Sequence, residues 1–139
     1  MPATQNEPER AILKLSPVLV VESIEPALPF WERIGFARTA EVPHGDRLGF
    51  VILERDGIEV MYQTFASVRD DAPALAPDGA TQRTALFIEV SDLDAIARAI
   101  EGAPVVVARR QTFYGMDEIG VREPGGNTIM FAMKVSGAS

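Results

Sequence analysis

Apolar residues follow two periods along this chain. In LKLSPVLVV (13–21), RLGFVILE (47–54) and EVMYQT (59–64) they alternate or run together, as half-buried and buried strands do. Between these runs they fall at Ile24, Ala27 or Leu28, Trp31 and Ile34, the spacing of one helical face. The order then returns. TALFIEV (84–90) reads as a strand, Leu93, Ile96 or Ala97 and Ile100 as a helical stripe, and PVVVARR, MDEIGVRE and TIMFAMK as three further strands. RTAEV (38–42) completes the first set. Ser23 is placed to cap the first helix, and Ser91 with Asp94 forms a capping-box pattern for the second. Pro29 lacks a backbone donor, which predicts a tightened first turn.

The two sets keep a constant offset of 69 residues: Ser23 falls on Asp92, Glu54 on Glu123, Gly57 on Gly126, Met61 on Met130 and Tyr62 on Phe131. This predicts an α+β fold built from tandem βαβββ modules, one at about 12–65 and the other at about 83–135. A loose tail (1–11) precedes them, and the Ala-, Pro- and Asp-rich linker 66–82 joins them. PGGN (124–127) reads as a hairpin turn, with the glycines supplying positive φ. No helix follows it, so phosphate binding is not expected there.

At 139 residues and 47% hydrophobic, the chain is expected to form one domain. A net charge of −7 without a Lys/Arg cluster argues against nucleic acid as a partner. No apolar run approaches the roughly 20 residues of a membrane span. The polar start MPATQNEPER lacks a secretory pattern, so the expected location is cytoplasmic. The absence of cysteine excludes thiolate chemistry and disulfides, and the single histidine, His44, is expected in an exposed loop.

SPVLVVESIEPALPFWERIGF and YGMDEIGVREPGGNTIMF together resemble the opening and closing motifs of the vicinal oxygen chelate superfamily. This superfamily comprises glyoxalases, extradiol dioxygenases and bleomycin-resistance proteins. Phe30-Trp31 in the helix and the Tyr114-Gly115 pair before the last hairpin are closest to the bleomycin-resistance branch. The resemblance implies curled mixed sheets around a cup, a homodimer, and, in catalytic relatives, a divalent metal held at four positions. Carried over by motif, those positions are Ser16, Met61, Ala85 and Met130, none of them a fitting ligand for a hard or borderline metal. No metal or other cofactor, and no catalytic residue, is therefore expected.

Counting by twos from these positions puts Ser16, Val18 and Val20, then Glu59, Met61 and Gln63, on the cup face of the first module. Ala85, Phe87 and Glu89, then Thr128, Met130 and Ala132, line it in the second. The ligand-binding candidates are Tyr114, Phe87, Met61, Met130, Glu89, Glu59 and Val18. Methionine adapts to ligand shape, aromatic rings stack, and the two carboxylates would pair with a cationic group. The expected activity is sequestration of an aromatic, cationic natural product or antibiotic, the expected partner being a small hydrophobic or cationic ligand. Two alternatives stay open. One is a glyoxalase- or dioxygenase-like enzyme (lyase or oxidoreductase) with relocated metal ligands or a metal-free carboxylate base. The other is a dimerising scaffold. Phe30 and Trp31 are expected to pack in the core, and Arg47 is a candidate partner for Asp117.

Overall fold

The computed structural model describes residues 11–76 and 83–135. Strand β1 (Val18–Val21) leads through a 3-10 turn (Glu25–Ala27) into helix α1 (Leu28–Arg33), and then β2 (Ala37–His44), β3 (Arg47–Arg55) and β4 (Ile58–Thr64) follow. Helix α2 (Phe65–Asp71) and a 3-10 turn (Pro73–Leu75) connect to β5 (Ala85–Glu89), helix α3 (Leu93–Ala99), β6 (Val105–Gln111), β7 (Met116–Arg122) and β8 (Thr128–Lys134). The strands form two four-stranded sheets, ordered β1-β4-β3-β2 and β5-β8-β7-β6. In each sheet the first strand runs parallel to the last and the other pairs are antiparallel.

Val18 pairs with Met61, and 69 residues on, Phe87 pairs with Met130, so the repeat holds through the outer pair of strands. It slips to 68 on the third strand, where Ile52 faces Met61 but Gly120 faces Met130. The first hairpin turns on Asp56 and Gly57, both at positive φ. The second carries an additional residue, with Glu123 N–H bonding back to Asn127 O across Pro124–Gly126. Glu123 is therefore not the structural twin of Glu54; Arg122 is.

Four local expectations are corrected. The first strand is four residues long rather than nine. Pro17 ends the extended arm before it, and the Pro17 carbonyl accepts from Met61 N–H. No side chain caps α1: Ser23 instead hydrogen-bonds Glu25, and Pro26 and Pro29 occupy successive helix starts, giving the 3-10 turn that a missing donor favours. Helix α3 is capped by Asp92, whose Oδ1 accepts from Ala95 N–H, not by Ser91. Arg47 lies nearest Glu22, while Asp117 takes Arg109, because the two residues belong to different sheets.

The 66–82 connection starts as structure. Thr64 Oγ1 caps α2 by accepting from Ser67 N–H, and Phe65 and Val68 are buried. Residues 77–82 of it, like the tail 1–10, lie outside the described residues.

One core serves both sheets. Leu19, Val21, Val51, Leu53, Val60 and Tyr62 meet the α1 stripe (Ile24, Ala27, Leu28, Trp31, Ile34) and, from the second module, Leu93, Ile100, Val121, Ile129 and Phe131. Phe30 reaches across to Phe131 with ring centroids 6.4 Å apart. Trp31 is fully buried; removal of such a side chain costs about 3–5 kcal/mol. No helix among the described residues is long and apolar enough to cross a membrane.

Candidate functional site

Because the strands alternate, the residues between these core positions face outward. On the first sheet a row runs Val18, Met61, Ile52, Ala40 across β1, β4, β3 and β2. On the second the equivalent row is Phe87, Met130, Gly120, Val107. Register shifts in β2–β3 and β6–β7 bend both sheets. The sheets meet through their helix-bearing sides, so within one chain the two outer faces point away from each other. Val18, Met61 and Glu59 share one face; Phe87, Met130 and Tyr114 share the other.

Both faces are open and partly apolar. Val18 is 46% exposed and Phe87 56%, and the arm before β1 leaves Ile12, Leu13 and Leu15 in solvent. On the second face the surface is flat, since a Cβ on Gly120 would lie 2.5 Å from the Met130 sulfur. Met130 thus lies across its neighbouring strand, filling the place of the missing side chain.

The donors at the family's metal positions do not fit a divalent metal. Ser16 spends its hydroxyl on Glu59 Oε1 at 2.8 Å, Met61 and Met130 offer thioethers, and Ala85 offers nothing. Among the described residues no group of three or more His, Cys, Asp or Glu side chains could hold a metal.

Glu59 is engaged: besides Ser16, Lys14 reaches its other oxygen at 3.1 Å. The Ser16 hydrogen bond, followed by the Lys14 ammonium, holds its carboxyl below the usual range. Glu89 ends β5 and lines a groove of about 920 Å³. That groove runs between the end of α1 with the β3–β4 turn and α3, with Arg33, Glu54, Arg55 and Asp92 at its rim. His44 is half-exposed and meets Asp70 of α2 at 2.8 Å.

Tyr114 sits in the turn before β7, half exposed, its ring edge-on to the fully exposed Phe113 at 5.0 Å. Its hydroxyl donates to Glu118 Oε1 at 2.8 Å. Arg110 donates to Glu118 Oε2 from Nε at 3.1 Å and from Nη2 at 2.9 Å. Glu118 is only 1% exposed although it belongs to the outer face, because these two side chains roof it. The sequence reading missed Glu118 and Arg110. A period of two through MDEIGVR puts Glu118 on the face of Gly120, but nothing in composition distinguishes a roofed carboxylate from a solvated one.

A second polar chain crosses the core. Trp31 Nε1 donates to Tyr62 Oη at 2.8 Å, and Tyr62 donates to the buried Glu123 at 2.6 Å. Burial first, then the Glu123 charge, pushes the Tyr62 hydroxyl pKa well above its usual value. Asn127 N–H donates to the other Glu123 oxygen, and Asn127 Oδ1 receives Thr84 N–H; its Nδ2 is buried without a partner among the described residues. This chain joins the two modules.

Comparison with known proteins agrees with the architecture. The family model "Glyoxalase/Bleomycin resistance protein/Dioxygenase superfamily" matches residues 14–131. Among solved structures, TioX from Micromonospora sp. ML1 superimposes with a TM-score of 0.72 at 18% identity, covering 88% of this chain and 99% of its own. A glyoxalase/bleomycin resistance protein/dioxygenase from Nocardioides gives 0.70 at 17%, covering 92% and 87%. Lactoylglutathione lyase from Agrobacterium tumefaciens gives 0.68 at 17%, covering 87% and 92%. No curated protein matches. At these identities the likeness shows the fold, which hosts several activities.

Proposed function

The chain belongs to the glyoxalase/bleomycin resistance protein/dioxygenase superfamily, and from that premise we propose that it is a non-catalytic small-molecule binding protein. It sequesters an aromatic, cationic natural product or antibiotic. The observation that carries this reading is the make-up of the two outer faces: two thioethers, an alanine and a serine already bonded to Glu59 stand where a metal-dependent relative needs its donors, and valine and aromatic rings lie beside them. Phe87, Met130 and Tyr114 offer a planar ligand one wall, Val18 and Met61 another. Glu89, which has no ion-pair partner among the described residues, is the carboxylate open to a cationic group. Glu59 already serves Lys14 and Ser16.

The enzymatic alternative is less well supported. A general base works best with a pKa near the operating pH, and the partners of Glu59 move it the other way. Since the two faces of one chain diverge, a closed cup requires a second copy, with the first sheet of one protomer facing the second sheet of its partner. The exposed arm residues Ile12, Leu13 and Leu15 support such a homodimer.

The test is thermal shift against cationic aromatic natural products, with and without added Zn, Ni or Mn. At a hundred times its Kd a bound ligand adds about 2.7 kcal/mol. The expected result is a clear rise in Tm with at least one compound, independent of metal. A panel without any shift, or a shift that requires metal, would overturn the reading.

A further inference from the structure

We infer that the outer face of the second sheet carries an anion-reading subsite at Arg110, so that the ligand bears a carboxylate on its planar apolar body. The inference rests on the small-molecule reading above and specifies one end of that ligand. It comes from two adjacent rows of side chains. The row Phe87, Met130, Gly120, Val107 is an apolar shelf, flattened where Met130 lies over Gly120. The next row, two residues along β5, β8 and β7 and so roughly 6–7 Å away, and three along β6 where the register shifts, reads Glu89, Ala132, Glu118, Arg110. It is polarised, with an open carboxylate on β5 at one end and a guanidinium on β6 at the other.

Arg110 and Glu118 do not simply cancel. Both oxygens of Glu118 are taken, one by Tyr114 and one by Arg110, and the carboxylate is 1% exposed. The Arg110 side chain is 56% exposed. A guanidinium carries five N–H donors; Nε and one Nη2 N–H point inward to Glu118, the Tyr114 hydroxyl on the same carboxylate stands beside the guanidinium, and Nη1 and the outer Nη2 N–H make no hydrogen bond of ordinary geometry among the described residues. Those free donors form one edge of the planar fork, the edge that grips a carboxylate through two parallel hydrogen bonds. The buried anion therefore acts as an anchor: it fixes the rotamer of Arg110, with no further ordering needed when a ligand arrives. Tyr114, held by the same carboxylate, stands beside the shelf as a wall for a ring. A flat aromatic acid lying on Phe87, Met130 and Gly120 would bring its carboxylate to Arg110 across one row spacing.

The probes are 2-naphthoate, methyl 2-naphthoate and 2-naphthylmethylammonium, titrated into the full-length protein by ¹H–¹⁵N NMR. The amides of Phe87, Val107 and Gly120 and the Arg110 Nε–H report binding. The expected result is that the acid binds about tenfold or more tightly than its ester and moves the Arg110 Nε–H signal. Arg110→Met alone would strand a buried carboxylate and could unfold the sheet. The double variant R110M/E118Q removes the cation and keeps a partner for Tyr114, and in it acid and ester should bind alike.

Equal binding of acid and ester to the wild-type protein overturns the anion subsite and leaves the sequestering reading intact. So does binding of the ammonium alone, or an acid preference that survives in R110M/E118Q. If none of the three shifts the shelf amides at millimolar concentration, the shelf takes no planar ring and both readings fall.

Discussion

Replacing Tyr62 by Phe should be the most informative single change in the core. The hydroxyl accepts from Trp31 Nε1 and donates to Glu123, and all three side chains are buried. Phenylalanine keeps the ring against Trp31 but leaves the indole N–H unpaired and takes one donor from a buried carboxylate. A neutral hydrogen bond contributes about 0.5–1.5 kcal/mol and one to a charged group about 1.5–3. The expected loss is therefore about 2–4 kcal/mol. At roughly 3–5 °C per kcal/mol for a domain of this size, Tm should fall on the order of 10 °C. Chemical denaturation at fixed protein concentration measures it, because a dimer would make stability concentration-dependent.

The same residue gives a pH signature. Its folded pKa is raised above the unfolded value near 10, so stability is fully present below about pH 10. Above that the unfolded chain releases the proton first, and stability falls by up to about 1.4 kcal/mol per pH unit until the folded hydroxyl ionises too. Tyr62→Phe lacks this component, so the gap between variant and wild type should narrow with rising pH. A variant within 0.5 kcal/mol of wild type, or a gap that is constant from pH 8 to 11, would refute the relay as a stabilising link between the modules.

Three further outcomes are expected. Asp92→Ala should destabilise by about 1 kcal/mol through loss of the α3 cap, with Ser91→Ala near neutral; equal effects in urea titrations would restore Ser91 as the cap. Gly125→Ala should cost about 1–3 kcal/mol by overpacking, because its Cβ would lie 2.9 Å from both Glu123 Oε2 and Val21 Cγ1; an unchanged urea midpoint would contradict that crowding. Tyr114→Ala should weaken any ligand found by thermal shift several-fold or more, since aromatic contact adds about 0.5–1.5 kcal/mol beyond area burial; unchanged affinity removes Tyr114 from the site.

Much of the fold was legible because the core obeys simple periods. The α1 stripe and the buried positions of β1, β3, β4 and β8 follow from spacing alone, and the 69-residue offset identified the twin strands. The misreadings have local causes. Ser91 and Asp92 are both competent caps, and the choice depends on where the backbone leaves the extended region, which happens at Asp92. Helix α2 was read as linker because only Phe65 and Val68 are buried in it, too few positions to show a period. On the outer faces, period placed Met61, Met130, Phe87 and Val18 on the surfaces they occupy. Partners are a matter of distance, and sequence carries none. Glu59 reads as open in sequence, yet Lys14 and Ser16 engage it, and Glu118 reads as ordinary, yet Tyr114 and Arg110 cover it.

The place where the repeat fails explains how the halves are joined. In the first hairpin Arg55 pairs with Ile58 around a two-residue turn, so every residue from Phe50 to Arg55 stays in the ladder. The second hairpin has one residue more, and Glu123 leaves the ladder to become part of the turn. Two residues on from the buried Val121, its side chain still points inward, under Gly125, where only a glycine leaves room. There it meets the Asn127 N–H from its own turn and the Tyr62 hydroxyl from the other module. An exact duplicate of the first hairpin would have an arginine, the twin of Arg55, where Glu123 stands, and no acceptor for Tyr62. The extra residue thus accompanies a polar tie through the shared core, from Tyr62 to Glu123. By fixing how the two sheets meet, it also fixes the directions in which their outer faces look out.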